Sequence, residues 1–94
     1  MELHLMPRRY VHNPIHHREL SRLLADAGVT ARQFSRITGS DERRVMRWLS
    51  GEQEDPPLWV ASLLVALSVP AARDAVKAFI DTRVHDTRDD EGDA

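Results

Sequence analysis

The sequence predicts an all-α protein, folded as a compact bundle of about five helices around one core. Three observations favour this class. In several segments, apolar residues recur every three or four positions, which is the period of an amphipathic helix. Glycine and proline stand at the borders of these segments, where helices end and begin. The chain also has 94 residues and no cysteine, so packed helices rather than disulfides must form its core.

Positive and negative charges are segregated along the chain, although the formal net charge is only −2. Residues 8–47 hold nine arginines against four acids, whereas residues 48–94 hold four basic residues against ten acids. Twelve of the thirteen basic residues are arginine, the type suited to bidentate contacts with phosphate and guanine. This pattern indicates a polyanionic partner on one side of the molecule. A basic face that is merely solvated is the alternative.

The sequence does not support three other classes of protein: enzymes, secreted proteins and membrane proteins. There is no glycine-rich phosphate loop, and the serines lack the context of a nucleophile, so we expect neither enzymatic activity nor a cofactor. The start of the chain lacks the pattern of a secretory signal. The longest apolar run, residues 58–67, is too short to span a bilayer. We therefore expect a cytoplasmic protein that does not contact a membrane.

Two terminal segments are expected to lie outside the folded domain, which we place at residues 13–85. Residues 1–12 show no clean periodicity and are interpreted as a flexible arm. Within it, Arg8 and Arg9 either contact the phosphate backbone of a nucleic acid or belong to a solvated tail. Residues 86–94 are acidic and lack large apolar side chains, which is typical of disorder.

The first predicted helix begins at Asn13 and Pro14, with asparagine as the cap and proline at the first helical position. It runs to about Ala27 and ends at Gly28. Its inward side consists of Ile15, Leu20, Leu23, Leu24 and Ala27.

Three histidines near this start, His12, His16 and His17, raise the question of a metal site. His12 and His16 are four residues apart, but a helix that starts at Pro14 leaves His12 outside it. No nearby set of ligands completes a zinc site, so we expect no bound metal. Solvated or phosphate-facing histidines are the preferred interpretation.

Residues 29–51 are the stretch around which the rest of the chain is organised, and they predict two short helices joined by a tight turn. Thr30 is placed to cap the first of them. Gly39 stands where a helix ends in a left-handed residue, a conformation that glycine adopts without steric cost. Ser40 or Asp41 then caps the second helix.

The second of these helices has two different sides. Its apolar side consists of Val45, Trp48 and Leu49. Arg43 and Arg47 point almost opposite that side, and Arg44 and Met46 lie on the flanks. Like charges four residues apart destabilise a helix unless an anion offsets them. The pattern therefore predicts an anion-binding face.

An acidic loop, residues 52–57, leads to two further predicted helices. Pro57 opens the fourth, residues 58–67, which is apolar nearly all round and should be enclosed by other elements. Pro70 begins the fifth, at about residues 71–84, with a broad apolar stripe. One small domain needs only part of this apolar surface, so we expect a homodimer. Its predicted interface is Trp59, Leu63, Val76, Phe79 and Ile80.

The order of residues between positions 29 and 51 resembles the helix-turn-helix of the Cro/C1-type (XRE) DNA-binding family. The residues that carry the resemblance are Thr30, Phe34, Gly39, Asp41, Val45, Arg47, Trp48 and Gly51. The flanking helices extend it over about residues 14–69. Departures are Ala31, Thr38 and Ser40, where the family usually has other residue types, and the acidic loop, which in the family is commonly basic.

The resemblance implies an all-helical domain that binds palindromic operators as a dimer, usually to repress transcription. It also implies roles for individual residues. Base edges would be contacted by Glu42, Arg43, Arg44 and Arg47, and phosphates by Thr30, Arg32 and Gln33. The chemistry agrees, because arginine bonds bidentately to guanine O6 and N7 and a carboxylate accepts from cytosine N4. Within the family, the chain is similar to small phage-type autorepressors, including those encoded beside anti-CRISPR genes.

Three functions remain open at this point. The first is a homodimeric, sequence-specific repressor of double-stranded DNA that acts as an autorepressor. The second is an antitoxin in which the same DNA-binding domain also neutralises a toxin, a partner that the acidic C-terminal half would complement. The third is a protein–protein interaction module that has lost DNA binding, an interpretation that the acidic loop favours.

Overall fold

Five α-helices make up the part of the chain that the computed structural model describes, residues 11–85. They are α1 His17–Ala27, α2 Ala31–Thr38, α3 Glu42–Ser50, α4 Leu58–Leu67 and α5 Pro70–Asp81. Within these residues there is no β-strand. The predicted all-α class is therefore confirmed. The acidic tail and Arg8 and Arg9 of the arm lie outside the described residues.

The helices pack so that α3 is held from two sides. Helix α1 lies against α4 and α3, while α2 lies against α3 and α5, and α4 also contacts α5. The shared core receives side chains from α1 to α4 and from the segments before and between them. Its buried members are Ile15, Leu20, Ala27, Val29, Phe34, Val45, Trp48, Val60, Ala61, Leu64 and Leu67.

The start of α1 differs from the prediction, which placed the cap at Asn13 and the first helical residue at Pro14. His16 is the cap instead, because its backbone is extended and its ring Nδ1 accepts a hydrogen bond of 3.1 Å from the Arg18 N–H. The residues before His16 lie outside the helix, yet Ile15 is still buried. A non-helical segment therefore places Ile15 in the core, where the prediction also placed it.

The end of α5 also differs, since the helix stops at Asp81 and not near Val84. The Thr82 hydroxyl donates a hydrogen bond of 2.7 Å to the carbonyl of Phe79, which offers the backbone an alternative to a further helical turn. Arg36 of α2 fixes this end by donating to Asp81 Oδ1 at 2.9 Å and to the Val84 carbonyl at 3.3 Å. These bonds join α2 to the end of α5.

Helix α4 is only half enclosed in a single chain, which corrects the prediction that other elements cover it on all sides. Val60, Ala61, Leu64 and Leu67 are buried. In contrast, Leu58, Trp59 and Val65 leave about half of their surface exposed. None of the helices described here is both long enough and apolar enough to cross a bilayer.

Glycine is required at the end of α3 for two separate reasons. Gly51 has a φ of 86°, in the left-handed region that residues with a Cβ avoid. A Cβ at this position would also lie 2.7 Å from Cδ2 of the His17 ring. Gly39, at the end of α2, has a similar φ of 76° but no neighbour within 4 Å of its Cβ position. The close approach at Gly51 lets the start of α1 pack against the end of α3.

These two glycines form a matched pair for a stability test. We expect Gly39→Ala to lower the free energy of unfolding by about 1 kcal/mol, which is the backbone term alone. Gly51→Ala should cost about 2 kcal/mol or more, because the new methyl group also displaces the His17 ring. Urea denaturation measures both values.

The double variant with His17→Ala and Gly51→Ala lacks the ring. Compared with the His17→Ala single variant, it should lose only about as much free energy of unfolding as Gly39→Ala loses in the original protein. Equal costs for the two glycine variants in the original background would contradict the proposed packing.

Candidate nucleic-acid interface

Helix α3 begins at a defined residue because Asp41 caps it. The Asp41 carboxylate accepts a hydrogen bond of 2.8 Å from the Arg43 N–H, so of the two predicted caps the structure selects Asp41 over Ser40. Glu42 follows in the first turn, where a negative charge interacts favourably with the helix dipole. The cap fixes the position at which each later side chain leaves the helix.

The two sides of α3 lie in opposite environments. Val45 and Trp48 are each 2% exposed and face the core. The exposed residues are the four predicted to contact bases, the methionine between them and the last residue of the helix: Glu42, Arg43, Arg44, Met46, Arg47 and Ser50. The predicted orientation of the arginines, away from the monomer core, is therefore what the structure shows.

The arginines of α3 form no ion pair with an acid among residues 11–85. The ion pair that the structure places in this range joins Arg36 of α2 to Asp81 of α5 at 2.9 Å. Arg43, Arg44 and Arg47 have no carboxylate partner among the described residues. Three guanidinium groups on one short helix thus keep their hydrogen-bond donors available to a ligand.

The exposed side chains of α3 form two parallel rows. Arg43 and Arg47 make one row at four-residue spacing, and Glu42, Met46 and Ser50 make the next. Both rows, together with Glu52, line one open depression on the surface. Arg44 is not among its lining residues. The depression therefore combines guanidinium donors, carboxylate acceptors and one apolar side chain.

The acidic side chains of the loop after α3 lie on two different surfaces. Glu52 lies beside the arginine row, in the depression. Glu54 and Asp55 line a separate cleft of about 710 Å³, together with His16 and His17. Acidic side chains in this loop would repel a phosphate backbone unless the loop turned away from it. Two of its three acids do line a different surface from the one that the arginines occupy.

The start of α2, predicted to contact phosphates, is held by a reciprocal capping box. Thr30 Oγ1 accepts from the Gln33 N–H at 3.1 Å, and Gln33 Oε1 accepts from the Thr30 N–H at 2.8 Å. Both bonds use acceptor oxygens, so the Thr30 hydroxyl and the Gln33 amide keep the donors that a phosphate requires. Arg32 is exposed beside them. Gln33 was predicted only as a phosphate contact, although the pattern Thr-x-x-Gln also signals its capping role.

The histidines near α1 have local partners. The rings of His16 and His17 stack with centroids 4.4 Å apart, and the His12 ring lies 2.8 Å from the carbonyl oxygen of Asn13. Residues 11–85 contain no group of three or more histidine and acidic side chains that could hold a metal ion.

The five residues predicted to form a dimer interface differ in exposure. Trp59 is 47% exposed and Phe79 is 57% exposed, so both are available to a second copy. Leu63 and Val76 are partly buried against the core. Ile80 is buried within the monomer at 9% exposure, so the structure corrects its place in the predicted interface. Trp59 also packs edge-to-face on Trp48, with ring centroids 6.4 Å apart.

The cap of α3 generates a testable prediction. Asp41→Ala removes the acceptor for the Arg43 N–H and should lower the free energy of unfolding by about 1 kcal/mol. Asp41→Asn is the matched control, since asparagine caps nearly as well and should cost only a few tenths of that amount. Thermal and urea denaturation of the three proteins measure the differences. An asparagine variant as unstable as the alanine variant would argue against the capping role.

Comparison with known proteins identifies no relative of this chain. No family model, no curated protein and no solved structure matches the chain. The resemblance of residues 29–51 to the Cro/C1-type family therefore stays a prediction.

Proposed function

We propose that this protein is a sequence-specific regulator of transcription that binds double-stranded DNA as a homodimer and represses a palindromic operator, including that of its own gene. In this proposal α2 and α3 form a helix-turn-helix, and α3 lies in the major groove. One observation carries it. Arg43, Arg44 and Arg47 are exposed on one short helix, without acidic partners among residues 11–85. Such a regulator works in the cytoplasm, in contact with DNA.

The chemistry of α3 matches the major groove. Arg43 and Arg47 present two-pronged donors that fit O6 and N7 of guanine. Glu42, at the start of the helix, is a carboxylate that accepts from the N4 amino group of cytosine. The mutual repulsion of the two arginines is relieved when negative charge surrounds them, as it does in the groove. Arg44, on the other flank of the helix, would contact the same groove from the side.

The start of α2 supports the proposal as a phosphate-binding element. A helix N-terminus attracts anions through its dipole and its N–H groups. Thr30 and Gln33 add hydroxyl and amide donors, and Arg32 adds a positive charge. Phosphate contacts of this kind fix the orientation of a protein on DNA, while contacts to bases supply the sequence preference.

The exposed apolar side chains of α4 and α5 support the homodimer. Trp59 and Phe79, at the predicted interface, are about half exposed, as are Leu58, Val65 and Val69. Exposed apolar surface of this kind is typical of protein–protein contacts. A dimer with a twofold axis would present two copies of α3 to half-sites about 34 Å apart, which is one turn of DNA.

Removal of one readout arginine should reduce specificity at one place in the operator. We expect Arg43→Ala or Arg47→Ala to lose about 1–3 kcal/mol of discrimination at a single base-pair position per half-site. The measurement is the dissociation constant for a selected duplex and for each of its single base-pair variants, at fixed salt. Lys77→Ala, an exposed cation on α5, is the control for loss of one charge.

The proposal fails if both arginine variants bind selected and random DNA as the unmodified protein does. An unmodified protein that leaves the mobility of all DNA fragments unchanged at low salt would favour the interaction-module alternative.

The dimer proposal has its own test. Phe79→Glu replaces an apolar ring by a carboxylate in the proposed interface and should convert the dimer to a monomer, because transfer of a charged group from water into an apolar contact is costly. Val11→Glu is the matched control, since Val11 is an apolar residue that is 85% exposed and lies outside α4 and α5. Sedimentation velocity measures the oligomeric state, and circular dichroism verifies the fold. A Phe79→Glu variant that remains dimeric would place the interface elsewhere.

A further inference from the structure

Met46 is the apolar member of the surface that α3 presents. It is 50% exposed, whereas its neighbour Val45 is 2% exposed. The other residues that line the same depression are all charged or polar, namely Glu42, Arg43, Arg47, Ser50 and Glu52. About half of Met46 is therefore left in water, on a face whose other members are suited to hydrogen bonding.

The position of Met46 within the two rows gives it a specific neighbourhood. It lies four residues after Glu42 and four before Ser50, so these three side chains follow one another along the helix. It also lies three residues after Arg43, which places it beside the arginine row. On DNA, Met46 would therefore lie beside the base edges that Arg43 or Arg47 contacts.

The chemistry of methionine restricts what it can recognise. Its thioether is only a weak acceptor and carries no donor, so it cannot read a base by a strong hydrogen bond. The edges that base pairs expose in the major groove carry one distinct apolar group, the C5 methyl of thymine. Methionine is flexible and polarisable, and it therefore adapts well to such a small apolar target.

We propose that Met46 is a specificity-determining residue that contacts the C5 methyl group of a thymine next to the guanine bound by Arg43 or Arg47. This inference rests on the proposed DNA-binding function and narrows its target. Each half-site then contains a G·C pair flanked by an A·T pair whose thymine faces Met46. Contact with the methyl group removes the exposed part of Met46 from water, which supplies the driving force.

The contact to the thymine methyl group can be tested by removing that group alone. A duplex bound by the protein is first selected from a random library. Each thymine is then replaced singly by uracil, which keeps the base pair and lacks only the C5 methyl. We expect about a fourfold loss of affinity at one thymine per half-site, the factor that burial of one methyl-sized group supplies.

Variants of Met46 identify the protein side of this contact. Met46→Ala should bind the thymine and uracil duplexes equally, and Met46→Leu, which keeps an apolar side chain of similar size, should retain most of the discrimination. Lys77→Ala, remote from α3 in sequence and on α5, should keep the full ratio. The dependence of affinity on salt should be unchanged in Met46→Ala, because no charge is altered.

Two outcomes overturn the inference while the proposed function stands: a selected sequence at which no thymine is sensitive to uracil, or a sensitivity that persists unchanged in Met46→Ala. If the library yields no enriched sequence at all, the proposed function fails, and the role of Met46 fails with it.

Discussion

The burial of Val45 and Trp48 is the constraint on which the rest of the structure depends. Each is 2% exposed, and together they fix the rotation of α3 about its own axis. At about 100° per residue, a helix that buries these positions must direct Arg43 and Arg47 outward. A rotation that turned the arginine side inward would place a guanidinium without a partner in the core, at a cost of several kcal/mol. Packing of two apolar side chains thus determines the charge of the exposed surface.

A helix as short as α3 depends on its ends as well as on its buried side. It has nine residues, and isolated helices shorter than about 12–15 residues are marginal in water. Asp41 satisfies donors at the start, and Gly51 closes the end in a conformation that also admits the His17 ring. Helix α1 therefore supports both the core side of α3 and its C-terminal end. The arrangement fixes where α3 begins and ends, and the proposed reading of base pairs requires such a defined position.

Agreement between sequence and structure mostly follows the range of the interactions involved; the exception is the start of α1, where a local bond makes His16 the cap and not Asn13. The ends of α2 and the start of α3 were predictable because Thr30, Gly39 and Asp41 act on their immediate neighbours. The end of α5 was not, since Arg36 reaches it from 45 residues away in the chain. At the candidate site, helix geometry was enough to predict which side chains face outward. The path of the acidic loop depended on tertiary packing, and so the separation of Glu54 from Glu52 could be seen only in the structure.

The acidic side chains beside Arg43 and Arg47 affect which ligands the exposed surface of α3 can bind. A phosphate backbone offers only acceptors, so a face made of arginine alone would bind it without regard to sequence. Glu42 and Glu52 share the depression with Arg43 and Arg47, and they repel phosphates that approach the row directly. Base edges in the major groove present donors and acceptors together, which satisfies a carboxylate and a guanidinium at the same time. The mixture of positive and negative side chains therefore weakens non-specific contacts more than contacts with a matching sequence. It favours the proposal that α3 contacts base edges over the alternative that it binds only the phosphate backbone.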